Sequence, residues 1–254
     1  MSKSFFTFLL LCLFLNAQED ENSLTPNYYF VNNSINYLNW SSSTEENTYQ
    51  EDFAYIELEG GAGWDWGQFY GFADIENPLS SYDDEPAKDL RFVVKPILDI
   101  YIKNNFALHV QTFYLNSKNF YVNNFVTGIS YLYKTDSLWF TPFLGTHYQN
   151  STYYSGFNGY MLGWAFNYDF EIFSQNFYIF NWHEMEFARA KEGYELEDGT
   201  AIGDGKSYGF NGALSAWWKI NQHFHTGVQY RYAKYKLGSD TYQSGIIYTA
   251  KYYY

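Results

Sequence analysis

Only one cysteine, Cys12, occurs in the chain, and it falls within the first seventeen residues. A disulfide framework and cysteine-ligated metal chemistry are therefore excluded from everything downstream of that segment. Long apolar runs are missing as well. Phe5 to Leu15 is shorter than the roughly 20 residues that a helix needs to span a bilayer, and nothing later in the chain is apolar for that long. Basic charge is scarce: 15 Lys and Arg stand against 28 Asp and Glu, a net charge of −13, which argues against nucleic acid as a partner.

What is present begins with an export signal. Lys3 supplies a positive start, Phe5 to Leu15 an apolar core and Leu15-Asn16-Ala17 a cleavage site. Residues 1–17 are expected to be a signal peptide, and residues 18–254 the mature chain. Its removal would take away Cys12. A lipoprotein reading of Cys12 is disfavoured, because Leu11 stands where the lipobox has a small residue.

Aromatic residues make up 24% of the chain, including 28 Tyr and 24 Phe. That is more than the core of a secreted, soluble all-β domain requires, and it suits the aromatic girdles of a membrane barrel. The last segment, Ser244 to Tyr254, places Ile246, Tyr248, Tyr252 and Tyr254 on one face and Thr249 and Lys251 on the other. Side chains alternate across a strand, so such a pattern fits a wall with lipid outside and water inside.

Alternating runs bounded by turn residues predict twelve strands, near 28–41, 50–60, 64–74, 89–101, 105–116, 119–133, 137–150, 156–170, 176–190, 206–220, 222–236 and 242–254. The expected fold is an all-β, twelve-stranded antiparallel transmembrane β-barrel. Short connectors, among them Gly60–Gly63, alternate with long ones at Ile75–Lys88 and Lys191–Gly205, which puts both termini on the periplasmic side. The phase turns Arg91, Lys95 and Asp99 inward, with His109, Gln111, His147, Gln149, Asn167, Asp169, His225, Gln229 and Arg231. A lipid-facing Arg or Lys at the midplane costs about 2–4 kcal/mol, which supports the assignment. Pro96 predicts a bulge or break. The ninth strand does not phase cleanly: Glu184 and Glu186 share a face with Tyr178, Phe180 and Trp182, while Asn181 and His183 lie opposite, which predicts a bulge near Asn181.

Catalytic chemistry finds little support. None of His109, His147, His183, His223 and His225 sits in a spacing that resembles the catalytic sets of outer-membrane phospholipases or acyltransferases. His223 and His225 share a strand face but read as polar surface rather than a metal site, and Asp198-Gly199 and Asp204-Gly205 lack the spacing of a calcium loop. No cofactor, no metal and no enzymatic activity is expected.

The stretch Phe53-Ala54-Tyr55-Ile56-Glu57-Leu58-Glu59-Gly60-Gly61, followed by Phe69-Tyr70-Gly71-Phe72-Ala73-Asp74, resembles the nucleoside-specific channel-forming proteins, Tsx-like and including the OmpK porins. Val94-Lys95-Pro96 and Asn158-Gly159-Tyr160 extend the resemblance into the fourth and eighth strands, although Ile97 stands where the family has Arg after the proline. The resemblance implies a monomeric twelve-stranded barrel in the outer membrane that passes nucleosides and deoxynucleosides by diffusion. It also implies surface loops that serve phage or colicin as receptors.

The expected function is passive, selective diffusion of small polar solutes, nucleosides foremost, through a pore lined by Tyr55, Glu57, Glu59, Arg91, Lys95, Asp99 and Arg231. Glu57 and Glu59 follow from the family motif, the others from strand phase. The expected surroundings are the lipid bilayer and lipopolysaccharide. The alternative is a non-conducting surface barrel acting as receptor or adhesin through its acidic loops.

Overall fold

The computed structural model describes residues 25–85, 88–196, 198–201 and 203–254. The signal peptide and Cys12 lie outside the described residues. Twelve strands follow in order: β1 (Tyr28–Trp40), β2 (Phe53–Trp64), β3 (Gly67–Glu76), β4 (Arg91–Lys103), β5 (Phe106–Asn116), β6 (Tyr121–Tyr131), β7 (Leu138–Ser151), β8 (Ser155–Ile172), β9 (Gln175–Phe187), β10 (Gly209–Lys219), β11 (Phe224–Lys236) and β12 (Ser239–Tyr253). A two-residue segment, Tyr133–Lys134, continues β6 along β7. Each strand pairs antiparallel with its sequence neighbours, β6 pairs with β7, and β12 returns to β1 with Ser34 opposite Lys251 and Asn36 opposite Thr249. The sheet is closed, so every strand has a partner on both sides.

Closure turns one face of each strand outward. Ile35 is 66% exposed, Leu58 55% and Leu144 53%, an apolar surface that water would not tolerate on this scale and that hydrocarbon solvates. No helix among the described residues is long and apolar enough to cross a membrane; this chain crosses with strands. Two aromatic girdles bound the apolar band. Near the short turns, Phe106 meets Tyr131 at 5.0 Å and Phe224 meets Tyr252 at 5.0 Å. Near the long loops, Tyr148, Phe157, Tyr160 and Phe187 form a chain of ring contacts of 5.4–5.7 Å. Such rings anchor a barrel at both lipid interfaces.

Hairpin chemistry fixes the turn end. Asn104-Asn105 and Phe173-Ser174 carry positive φ at both positions, as does Leu237-Gly238 at the loop end, the geometry of two-residue turns matched to strand twist. At the loop end a short helix, α1 (Ser42–Asn47), docks on β12: Ser244 N donates to Thr44 Oγ1 at 2.9 Å.

Two expectations are corrected. Gly60–Gly63 is strand, paired to both β1 and β3, and the turn is Asp65-Trp66. The glycines are spacers: a Cβ at Gly61 would lie 2.6 Å from the Phe30 ring and one at Gly63 2.1 Å from the Tyr28 ring. The expected bulge at Asn181 is absent, since β9 pairs without a register shift on both sides. Asn181 and His183 do face outward, and outward rings satisfy them. Trp164 Nε1 donates to Asn181 Oδ1 at 2.8 Å and stacks on His183 at 4.4 Å, while His183 Nδ1 hydrogen-bonds the Tyr232 hydroxyl at 3.0 Å. The break expected at Pro96 is present: the ladder to β5 is interrupted there while the register is kept. A true bulge lies in β8, where Gly159 (φ 79°) adds a residue opposite β7 and rotates Asn158 to a buried position.

Candidate functional site

The lumen is built from the inward half of every strand, and all seven residues singled out from the sequence face it. Tyr55, Glu57 and Glu59 follow one another on β2, Arg91, Lys95 and Asp99 on β4, and Arg231 projects from β11. They are not one cluster. Their side chains fall into several hydrogen-bonded groups around the wall.

The first group joins β1, β2, β3 and β12. Glu59 accepts from Lys251 Nζ at 2.5 Å, from Asn32 Nδ2 at 2.9 Å and from the Tyr70 hydroxyl at 2.7 Å. Glu57 accepts from Ser34 Oγ at 3.2 Å and lies directly across from Asp74, whose Oδ1 accepts no hydrogen bond from the protein. Register explains the grouping. The pairs Glu57–Asp74, Glu59–Phe72 and Tyr55–Glu76 bring the two conspicuous motifs of β2 and β3 face to face. Glu76 in turn pairs with Arg91 at 2.9 Å, and the Arg91 guanidinium sits 4.7 Å from the Phe53 ring.

The second group crosses the barrel. Lys95 on β4 reaches Glu184 on β9 at 2.5 Å, and Gln111 on β5 donates to the same carboxylate at 2.6 Å. Trp182, next inward on β9, is flanked by two cations, Arg231 at 4.7 Å and Lys95 at 5.4 Å. A third group holds Asp99, which accepts from Ser130 Oγ at 2.7 Å and Gln68 Nε2 at 2.9 Å and contacts His109 Nδ1 at 2.8 Å. Closer to the turn end, Asp169 is ion-paired with Lys219. His225 lies between Lys219 and Lys251 in the register, a setting that repels a metal cation, and no metal-holding group of side chains occurs among the described residues.

Above the lumen at the loop end, Arg189 clasps the long connector between β9 and β10. It bonds Glu186 at 2.7 Å, pairs with Asp204 at 3.2 Å and donates to the Tyr235 carbonyl at 2.9 Å. Burial lowers the Arg189 pKa and raises that of Asp204.

Sequence reasoning did not name Asp74, Glu76, Trp182, Glu184 or Lys251 as site residues. Asp74 lay within the quoted β3 motif and Lys251 within the inward phase of β12, so both carried a usable signal. Glu184 did not, because its partners Lys95 and Gln111 come from strands across the lumen.

A closed barrel with an apolar exterior, aromatic girdles and a polar, charged interior defines a porin-type channel of the bacterial outer membrane. The NanC porin superposes with a TM-score of 0.53 at 11% identity, covering 87% of this chain and 98% of that one. The KdgM porin, solved in complex with disordered oligogalacturonate, gives 0.47 at 10% identity over 87% and 98%. The sequence is more specific: residues 35–254 match the family described as nucleoside-specific channel-forming protein, Tsx, and the chain belongs to that family. Family and fold are those of passive channels for small solutes.

Proposed function

We propose that the solute is a nucleoside or a similar small molecule with a flat ring and several hydroxyls. The observation that carries this is the facing of β2 and β3. Glu57 and Asp74 present accepting oxygens side by side, while Tyr55, Tyr70 and Phe72 supply rings within the same register. Hydroxyls donate to carboxylates, and a planar base lies against aromatic faces. Opposite them Arg231 on β11, and the Lys95 ammonium reaching across from β4, offer donors to base carbonyls, with Trp182 between them. Family membership supports the same solute.

The test is conductance of the purified barrel in a planar bilayer while nucleosides are added. Concentration-dependent block is expected, with free ribose and free base each blocking less well. A hydrogen bond to a charged group contributes about 1.5–3 kcal/mol, so Glu57→Gln is expected to raise the half-blocking concentration at least about tenfold. Conductance that ignores every nucleoside would end the specificity reading. A barrel with neither conductance nor solute-driven liposome swelling would instead favour a receptor working through its external loops.

A further inference from the structure

We propose that Lys95, Glu184 and Gln111 form a crossbar that seals one side of the lumen and confines solutes to a passage along the β2–β3 wall. The bar thereby sets the size limit of the channel; this rests on the channel reading above. The strands that carry its ends, β4 and β9, are separated by β5–β8 on one side and by β10–β12 and β1–β3 on the other. Two side chains that meet at 2.5 Å from such positions must bridge the interior. Gln111 braces the same carboxylate at 2.6 Å and reaches the Met161 sulfur on β8 at 3.7 Å, so the bar is tied to the lobe behind it.

The two sides of the bar differ in packing. On the β5–β8 side, Val126 is 0% exposed, Met161 1% and Phe143 8%, and His109 stacks on Phe143 at 4.3 Å. Inward side chains this fully covered leave no path for a solute. On the other side the inward chains of Asn32, Ser34 and Trp217 are covered as fully, and the difference lies in Glu57, Phe72, Asp74, Trp182 and Arg231, which retain accessible surface. Trp182 and its two flanking cations form one wall of that passage and the β2–β3 carboxylates the other. A constriction with fixed charge of both signs and a ring beside it selects by width and by hydrogen bonding together.

Cys12 is the only cysteine and lies in the expected signal segment, so single-cysteine variants of the mature barrel report cleanly. Glu57→Cys and Asp74→Cys are expected to react with a trimethylammonium methanethiosulfonate reagent, whereas Val126→Cys and Met161→Cys stay protected. Adding Glu184→Ala is expected to speed labelling at the protected positions about tenfold, to raise conductance about twofold and to admit larger sugars in liposome swelling. Lys95→Met provides a second opening, and Lys95→Met combined with Glu184→Gln a third that leaves no buried charge unpaired should either of the others fail to fold. Equal labelling of the two sets of positions overturns the proposal. So does an unchanged size limit in the variants that show the heat-modifiable migration of a folded barrel. A wild-type barrel that neither conducts nor swells liposomes refutes the channel reading instead, and the labelling contrast still decides whether the bar seals its lobe.

Discussion

Lys251 is 7% exposed at its side chain, with Glu59 at 2.5 Å and the Trp217 ring 4.8 Å from its ammonium. Removing it would leave Glu59 beside Glu57 on the same strand face with no cation in contact, and a buried charge stripped of its partner costs about 3–5 kcal/mol. Lys251→Met should therefore lower the temperature of the heat-modifiable transition sharply. The comparison is Lys219→Met. Lys219 and Asp169 are 34% and 42% exposed near the turn end, and a pair that open to solvent is worth within about 1 kcal/mol. If both variants melt alike, lumen burial does not set the strength of these pairs. The seven residues picked from the sequence all face the lumen, because alternation is a local property that any strand exposes to inspection. Their partners are not local. Glu184 became legible only once β4 and β9 were seen to face each other, and Asn181 and His183 obscured its phase by placing polar groups on the lipid side. The structure accounts for those two through hydrogen bonds to Trp164 on β8 and Tyr232 on β11, partners supplied by other strands rather than by β9 itself.

At the scale of elements, the β8 bulge and the β9–β10 connector hold the loop end together. Gly159 takes φ 79°, and a Cβ there would lie 2.3 Å from the carbonyl oxygens of both Phe187 and Ala188. Gly159→Ala should destabilise the barrel by about 1–3 kcal/mol through strain at that backbone position, read as a lower unfolding midpoint in detergent. The connector gives a prediction in pH. Burial raises the Asp204 carboxyl above its ordinary 3.8, the nearby Arg189 offsetting this only in part. The folded state then holds that proton more tightly than the unfolded chain, so this residue's share of stability falls as pH rises from 3.8 through the raised value. Asp204→Asn should leave the neutral-pH melting temperature unchanged or higher, and a clear drop would mean that its contact with Arg189 outweighs its burial. Strand order and number were readable because each strand carries its own alternation and turn residues. The Gly60–Gly63 segment misled because glycine signals a turn locally, whereas here it makes room for Tyr28 and Phe30 on the neighbouring strand, a requirement visible only in the register.

For the whole molecule the decisive quantity is the uneven charge of the interior. Each of five lumen cations has a carboxylate in contact: Arg91 with Glu76, Lys95 with Glu184, Lys219 with Asp169, Lys236 with Glu186 and Lys251 with Glu59. That leaves Glu57, Asp74 and Asp99 against Arg231. Asp99 lies on the β4–β6 side, held by Ser130, Gln68 and His109, so the carboxylates that face the passage without a cation in contact are the Glu57–Asp74 pair. The chain as a whole carries −13, which adds to the attraction for cations at the mouths. A narrow pore lined by an excess of carboxylates favours cations. Under a potassium chloride gradient across a planar bilayer, the reversal potential should therefore lie on the cation-selective side. Glu57→Gln combined with Asp74→Asn should move it toward zero, whereas Glu45→Gln in α1 at the loop end should shift it less, because solvent and salt screen an exposed charge within about 8–10 Å. Raising the salt on both sides should narrow the loop effect first and the lumen effect last. An anion-selective barrel, or one indifferent to the lumen double variant, would show that Arg231 and the paired lysines dominate the passage in place of the β2–β3 carboxylates.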